Sequence, residues 1–153
     1  VLDYVTLDEL LAQSDIVSLH VPYFPGQNDK MANAEFFSKM KDGSIFLNTA
    51  RGELQDNEAI LAALKSGKLD GYGTDVFANE TSFFFKKLAS AAEISDPTVR
   101  ELVQMYPKVL VTPHIGSNTD EALANMIEYS MDNFNEMLTT GTTKNLIALP
   151  EAK

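Results

Sequence analysis

Along the chain, short apolar runs alternate with longer segments in which apolar residues recur every three or four positions. The recurring spacing predicts helices that each bury one face. The short runs are rich in β-branched residues and predict four strands, over residues 16–21, 45–49, 71–77 and 109–113. Strands that alternate with helices indicate βαβ crossovers. The pattern therefore predicts an α/β fold with a doubly wound parallel sheet and a long C-terminal helix.

Capping residues predict where the helices begin, and glycines predict where they end. Thr6, followed by Glu9 three positions later, has the pattern of a capping box. The predicted helices begin after Thr6, Asn33, Asp56, Asp96 and Thr119, and three of them end before Gly43, Gly67 and Gly141. The last helix carries Met126 and Met131, which we expect to pack in a core.

Composition and charge narrow the class of protein. The 153 residues are 44% hydrophobic, enough for one domain with a continuous core. The net charge of −10 argues against a nucleic-acid surface, which needs clustered lysine and arginine. The absence of cysteine and the two distant histidines argue against disulfides and metal sites. No apolar run reaches the ~20 residues that span a bilayer, so we expect a cytoplasmic protein that binds neither membrane nor nucleic acid.

Charged side chains collect where the predicted strands end. Arg51 follows the second strand, Asp75 and then Glu80 lie at the end of the third, and His114 follows the fourth. In doubly wound sheets, ligands bind just beyond the carboxyl ends of the strands. We therefore expect the four side chains to meet at one edge of the sheet, with Arg51 presented there to an anion.

Each of these residues also has a simpler structural explanation. Arg51 could pair with Glu53 or Asp56, a carboxylate could cap a turn, and a single histidine is commonly structural. His20, near the end of the first strand, is interpreted as structural, and the three phenylalanines at 83–85 as local core or as the cover of a loop. Only the four charged residues taken together favour a site.

The chemistry of such a set is specific. A guanidinium binds a carboxylate through two hydrogen bonds and can polarise an adjacent carbonyl group. A histidine beside a carboxylate has its imidazolium form favoured and can act as an acid near neutral pH. This combination matches the reduction of a 2-oxo acid, in which the hydride must come from a cofactor because no side chain can supply it.

Four motifs identify a resemblance. LHVP, MKDGSIFLNTARGEL, LDGYGTDVF and VLVTPHIG occur in the order found in the D-isomer-specific 2-hydroxyacid dehydrogenases, and the chain resembles this family over nearly its whole length. The long segment between Glu80 and His114 is similar to that of the D-lactate and D-2-hydroxyisocaproate dehydrogenase branch. The resemblance implies a Rossmann-like NAD-binding domain with residues 1–118 as its C-terminal half. Residues 119–153 would be a long helix and tail that lead back to a substrate domain.

The resemblance also implies residue roles. Arg51 resembles the arginine that binds the substrate carboxylate, His114 the acid/base, and Glu80 the carboxylate that orients and charges the histidine. Asp75 is similar to the aspartate that faces the nicotinamide. The residues that resemble the cofactor-binding wall are Val21, Pro22, Asn28, Thr49, Ala50, Arg51 and Asp75.

The chain departs from the family pattern in one respect. It contains no glycine-rich G-x-G-x-x-G loop, and it begins without methionine, so we expect it to be the C-terminal part of an enzyme. We expect a homodimeric enzyme that uses NAD and acts on a lactate-like or branched-chain 2-oxo acid and its D-2-hydroxy acid, with the chain inactive by itself. The competing hypotheses are a nucleotide-sensing or partner-binding domain without catalysis, and a structural fragment that is stable only when paired.

Overall fold

The computed structural model describes residues 3–147, which form two compact units that divide between Ile115 and Gly116. The first unit contains a four-stranded parallel sheet in the order β1-β2-β3-β4. The strands are β1 (Ile16–Leu19), β2 (Ser44–Asn48), β3 (Leu69–Thr74) and β4 (Val109–Val111). The helices are α1 (Leu7–Gln13), α2 (Ala34–Lys39), α3 (Asn57–Ser66), α4 (Pro97–Gln104) and α5 (Asp120–Thr140). The prediction of an α/β fold with a parallel sheet and a long C-terminal helix is confirmed.

One face of the sheet is buried. Val17, Phe46, Tyr72 and Val109 are aligned across the four strands and are each less than 5% exposed. The strand order advances in one direction only, so right-handed crossovers place the connecting helices on a single face. The core therefore lies between this face and helices α2, α3 and α4.

An aromatic cluster forms the centre of this core. Phe36 and Phe37 of α2 meet Phe46 of β2 edge to face, at ring-centroid distances of 5.9 and 5.1 Å. Phe46 in turn stacks on Tyr72 of β3 at 5.9 Å. Such pairs contribute roughly 0.5–1.5 kcal/mol each beyond the burial of their area, and they tie α2 to the two central strands.

The opposite face of the sheet is open to solvent. Ile16, Ile45 and Leu110 are 57%, 37% and 59% exposed. Gly73 lies on this face beneath Leu47, whose side chain comes within 2.8 Å of the position a Cβ would occupy. The alternation of buried and exposed residues along β1 and β2 follows directly from the period of two in a strand.

The predicted helix caps are confirmed, with one difference in extent. Thr6 forms a complete capping box with Glu9, and the side chains of Asn33, Asp56, Asp96 and Thr119 accept backbone hydrogen bonds at the starts of their helices. The second helix, however, ends at Lys39 and does not extend to Gly43. Met40 turns to extended backbone and is 2% exposed, while Gly43, with φ of +75°, donates its N–H to the carbonyl oxygen of Lys68. Gly43 therefore shapes the entry to β2.

Three strands are shorter than predicted. β1 ends at Leu19 and not at residue 21, β3 ends at Thr74 and not at residue 77, and β4 ends at Val111 and not at residue 113. After β3, the hydroxyl of Thr74 donates to the carbonyl oxygen of Val76 at 2.7 Å and lies 3.1 Å from the carbonyl oxygen of Asn48, where the chain leaves the sheet. Asp75 consequently lies in the connection after the strand.

The second unit consists mainly of α5. Its N-cap is Thr119 and it ends at Gly141, which has φ of +74° and donates its N–H to the carbonyl oxygen of Met137. None of its residues is buried, and Met126 and Met131 are 48% and 55% exposed. The expectation that they pack in a core was wrong, because between residues 116 and 147 the structure contains no other helix or strand that could cover the apolar stripe of α5. Among residues 3–147, no helix combines the length and apolarity needed to cross a membrane.

Candidate functional site

Arg51 stands three residues beyond the end of β2, immediately before a short 3-10 helix, Gly52–Leu54. Its side chain is exposed, and Nη1 donates to the carbonyl oxygen of Ala50 at 2.7 Å. Within residues 3–147 it forms no ion pair, and Asp56 instead pairs with Lys30 at 3.3 Å and caps α3. The structural alternative of an Arg51 pair with Glu53 or Asp56 is therefore not observed, and the charge of Arg51 faces solvent.

Glu80 and His114 form a hydrogen-bonded pair. The Nδ1 atom of His114 contacts Oε1 of Glu80 at a short hydrogen-bonding distance. The other carboxylate oxygen, Oε2, accepts from the backbone N–H of Phe77 at 2.8 Å. Because a carboxylate can only accept, Nδ1 must carry the hydrogen. Nε2 is left to face the surroundings, and the imidazole ring is fixed in orientation.

The backbone on both sides of this pair is unusual. Asn79, which precedes Glu80, has φ of +57°, and His114 itself has φ of +51°. The backbone N–H of His114 donates to the carbonyl oxygen of Asp75 at 2.9 Å, which holds the turn. Left-handed residues other than glycine are uncommon and cluster at functional sites, so their presence at His114 and directly before Glu80 indicates that the geometry of the pair is constrained by its surroundings.

One cavity brings the predicted catalytic residues together. It has a volume of about 360 Å³ and is bordered by Arg51, Glu80 and His114. The remaining lining residues are Gly52, Glu53, Val76, Phe77, Asn79 and Thr81. A guanidinium, an imidazole and a carboxylate therefore converge at the carboxyl edge of a parallel sheet, which is where doubly wound domains bind ligands.

A second cavity adjoins the first at Arg51. It has a volume of about 500 Å³ and is lined by His20, Val21, Pro22, Tyr23, Thr49, Ala50 and Arg51. Five of the predicted cofactor-binding residues are in this lining. The lining also contains His20, for which the sequence favours a structural role. In the structure His20 is exposed, and its Nε2 lies 2.9 Å from the hydroxyl of Ser18. The position beyond the strand ends and the sharing of Arg51 with the first cavity fit part of a dinucleotide next to a small substrate.

The other two predicted cofactor-binding residues do not line either cavity. Asn28 closes the turn after β1, since its side chain accepts from the N–H of Phe24 at 2.7 Å and donates to the carbonyl oxygen of Pro22 at 2.9 Å. Asp75 is 6% exposed, and its Oδ1 accepts from the hydroxyl of Thr112 at 2.6 Å and from the N–H of Ile115 at 2.9 Å. Asp75 therefore braces the segment that carries His114.

Tyr23 is a hydrogen-bond donor in the second cavity. Its hydroxyl donates to the carboxylate of Asp29, and this bond raises the pKa of Tyr23 and lowers the pKa of Asp29. Asp29 also accepts from the N–H of Gly26 at 2.5 Å, which fixes the turn. Within residues 3–147, no group of three or more histidine or acidic side chains is arranged to hold a metal ion.

Sequence reasoning missed the contact that joins the two sides of the first cavity. Gly52 packs so closely against the neighbouring backbone that a Cβ would lie 2.1 Å from the carbonyl carbon of Phe77 and from the nitrogen of Ala78. The loop of Arg51 therefore lies directly against the segment whose Phe77 N–H holds Glu80. The available signal was a glycine immediately after the arginine, which permits such a close approach.

These features define an α/β domain of the nucleotide-binding type, with a cavity lined by an arginine, a histidine and a carboxylate beside its strand ends. Comparison with known families makes the assignment specific: residues 1–116 match the model of the D-isomer specific 2-hydroxyacid dehydrogenase, NAD binding domain. The chain belongs to this family, and NAD is the family's cofactor.

Individual relatives agree with this assignment. The chain is 41% identical to the D-2-hydroxyacid dehydrogenase (NAD+) of Lacticaseibacillus paracasei over 97% of this chain and 44% of that protein. It is 39% identical to an aromatic 2-oxoacid reductase of Clostridium sporogenes over 94% of this chain and 43% of that protein. The chain therefore spans less than half the length of these relatives.

Solved structures give the same result. A D-2-hydroxyisocaproate dehydrogenase superposes with a TM-score of 0.78 at 41% identity, covering 93% of this chain and 42% of that one. The D-lactate dehydrogenase of Lactobacillus jensenii, solved with NAD+, superposes with a TM-score of 0.83 at 34% identity, covering 96% of this chain and 43% of that one.

Proposed function

We propose that this chain is the C-terminal part of an NAD-dependent dehydrogenase that interconverts a 2-oxo acid and a D-2-hydroxy acid, with a lactate-like or branched-chain substrate. In this proposal residues 1–118 complete the NAD-binding domain, and residues 119–153 lead back to a substrate domain. The observation that carries it is the convergence of Arg51, Glu80 and His114 on one cavity, adjoining the cavity of the predicted cofactor wall. The names of the relatives support the same reaction class.

Arg51 binds the substrate carboxylate. Its guanidinium is exposed and, within residues 3–147, carries no ion pair that a substrate would have to displace. The planar fork of an arginine matches the two oxygens of a carboxylate, and its remaining N–H groups can polarise the adjacent carbonyl oxygen. The 2-oxo acid is thereby oriented with its carbonyl group inside the first cavity.

His114 transfers the proton. Its Nδ1 is held by Glu80, so the protonated Nε2 is the atom that donates to the carbonyl oxygen as the alcohol forms. The hydride that the carbonyl carbon takes up would be supplied by the reduced form of NAD when it is bound. The carboxylate of Glu80 stabilises the imidazolium before the transfer. In the oxidation direction, neutral His114 takes the proton back from the hydroxyl group.

The cofactor would be held on the second cavity. Val21, Pro22, Thr49 and Ala50 form its wall, and the exposed backbone and hydroxyl groups there can contact the nicotinamide half. Asn28 would act by fixing the turn of that wall, and Asp75 by bracing the His114 segment that faces the nicotinamide. The pyrophosphate requires backbone N–H groups at a helix N-terminus, which a glycine-rich loop supplies; the sequence contains no such loop. We therefore expect the chain alone to bind NAD weakly.

The test compares two proteins in a spectrophotometric NADH-oxidation assay. One is the 153-residue chain, and the other is the complete enzyme, in which this chain follows the glycine-rich half of the nucleotide domain. Pyruvate and 2-oxoisocaproate serve as the lactate-like and branched-chain substrates. We expect turnover by the complete enzyme only. If the complete enzyme oxidises NADH with neither these nor other 2-oxo acids, the dehydrogenase assignment is wrong.

We further propose that the complete enzyme is a cytoplasmic homodimer that binds neither nucleic acid nor membrane. The resemblance to a family whose members pair through the nucleotide domain supports the dimer, and the net charge of −10 supports the absence of nucleic-acid binding. Sedimentation equilibrium of the complete enzyme measures its oligomeric state. A monomer across the working concentration range would refute the dimer.

A further inference from the structure

Three buried polar side chains lie directly beneath the Arg51 loop. Asn48, at the end of β2, is fully buried, and Gln55 and Tyr72 are 3% and 2% exposed. They are linked by hydrogen bonds, since Gln55 Oε1 accepts from the Nδ2 group of Asn48 at 2.8 Å and from the hydroxyl of Tyr72 at 2.9 Å. Burial of polar groups is costly unless they are paired, so a fully paired network at this place calls for an explanation.

Asn48 holds the Arg51 loop at two points. Its Oδ1 accepts from the N–H of Ala50 at 3.0 Å, and its Nδ2 donates to the carbonyl oxygen of Arg51 at 2.9 Å. These two bonds bracket the peptide group whose carbonyl oxygen, on Ala50, accepts from Nη1 of Arg51. The guanidinium is therefore placed by the backbone, and the backbone is placed by Asn48.

Gln55 and Tyr72 fix which way the Asn48 amide points. Gln55 Oε1 accepts from two donors, and its Nε2 donates to Oδ1 of Asn57 at 3.0 Å. A flip of the Gln55 amide would place its NH2 group against that of Asn48 and its oxygen against that of Asn57. Because Oε1 of Gln55 can only accept, the Asn48 amide must turn its Nδ2 group towards Gln55. Burial raises the pKa of Tyr72, which keeps the phenol protonated and able to donate.

We propose that Asn48, Gln55 and Tyr72 are positioning residues that set the carboxylate-binding geometry of Arg51. This inference rests on the proposed function and extends that function, because it assigns part of the substrate recognition to groups that do not contact the substrate. A network that positions an anion-binding guanidinium affects recognition of the carboxylate more than any other step, and this distinguishes it from a network that only stabilises the fold.

The readout is the preference of the complete enzyme for a carboxylate. We use the ratio of kcat/KM for pyruvate to kcat/KM for pyruvamide, an uncharged analogue with the same carbonyl group. We expect Asn48→Ala to reduce this ratio about tenfold, the size of a hydrogen bond to a charged group, and Tyr72→Phe to reduce it by a smaller factor in the same direction. Tyr72→Phe keeps the aromatic ring in the core and so decides the question if Asn48→Ala does not fold.

A double-mutant cycle with Arg51→Gln locates the effect. If the network acts through the guanidinium, Tyr72→Phe should leave the ratio unchanged once Arg51 has been replaced. Ser44→Ala is the matched control, because Ser44 is 2% exposed at the opposite end of β2 and donates to the carbonyl oxygen of Lys41 at 2.7 Å. It should lower the melting temperature without changing the ratio.

The outcomes separate this inference from the function on which it rests. Suppose that the wild-type complete enzyme reduces pyruvate, but that Asn48→Ala and Tyr72→Phe lower kcat/KM for pyruvate and for pyruvamide by the same factor. The network is then structural only, and the positioning role is wrong. The positioning role is also wrong if Tyr72→Phe changes the ratio as strongly in the Arg51→Gln background. If the wild-type enzyme reduces no 2-oxo acid, the proposed function fails, and the positioning role with it.

Discussion

Arg51 and His114 face the same cavity but are held in opposite ways. The Arg51 side chain is exposed and, among the residues from 3 to 147, hydrogen-bonds only to the carbonyl oxygen of Ala50, while Asn48 holds its backbone from below. The His114 side chain is held by Glu80, on a backbone in the left-handed region. The difference matches the two tasks, because a group that binds an anion must keep its charge available, whereas a group that transfers a proton must have its tautomer and orientation fixed.

The largest effect is expected on the proton-transfer side. His114→Gln in the complete enzyme should lower kcat by roughly 10²–10⁴-fold, the usual contribution of a general acid. NADH binding, measured by fluorescence titration, should change little because the second cavity is intact. Full retention of kcat would mean that His114 is not the acid/base. NADH binding without turnover, in both the wild-type protein and the variant, would instead favour the hypothesis of a nucleotide-sensing domain without catalysis.

Gly52→Ala should affect both sides together. The added Cβ cannot fit at 2.1 Å from the backbone of Phe77 and Ala78, so the Arg51 loop and the Glu80 segment must move apart. A displacement of about 1 Å between reacting groups can cost about 10²-fold in rate, and we expect kcat/KM to fall by about that factor.

The control for this variant is Gly71→Ala on β3. A Cβ at Gly71 would lie 3.5 Å from the side chain of Ile45, an ordinary contact. It adds the same methyl group without pushing any part of the site, so kcat/KM should remain near the wild-type value. Equal losses in both variants would mean that the Gly52 contact does not join the two sides of the cavity.

Arg51→Lys should produce a loss confined to the substrate. Lysine keeps the positive charge but lacks the fork, so we expect kcat/KM for the 2-oxo acid to fall roughly tenfold to a hundredfold. The KM for NADH should change by a much smaller factor. Steady-state kinetics with each substrate varied in turn measures both, and equal losses would contradict the role assigned to Arg51.

Glu80→Gln should produce the smallest change of the series. Glutamine has a single carbonyl oxygen, so in this geometry it can replace only one of the two acceptor positions, the one facing Nδ1 of His114 or the one facing the N–H of Phe77, and it no longer offers a negative charge to the imidazolium. We expect kcat to fall about tenfold, the lower range for losing an orienting partner, with KM for the 2-oxo acid unchanged. A loss as large as that of His114→Gln would show that Glu80 does more than assist the histidine.

Much of the fold could be predicted from sequence because its signals are local. Thr6 and Glu9 form their capping box within one helical turn, and the hydroxyl of Thr119 accepts from the N–H of Ala122 in the first turn of α5. The strand ends carry Arg51 and His114 because parallel strands bring their carboxyl ends to one edge. The ends of β1, β3 and β4 could not be placed, since hydrogen bonds from distant residues decide where a strand stops.

The burial of α5 was also beyond local reasoning. Its apolar spacing predicts an amphipathic helix, and the helix is present, but the periodicity does not say whether another element covers the stripe. Met126 and Met131 show this, because they have the spacing of core residues and are half exposed. An apolar pattern determines which face can be buried, and only the surrounding elements determine whether it is.

The sequence by itself determined the order of strands and helices, the helix caps and the four motifs of the family, since all of these depend on residues a few positions apart. Only the tertiary structure decided which polar groups meet. Glu80 pairs with His114 across 34 positions, and Gln55 pairs with Tyr72 across 17. The physical reason is that hydrogen bonds act over about 3 Å, a distance that chain separation does not predict until the sheet has brought the strands together.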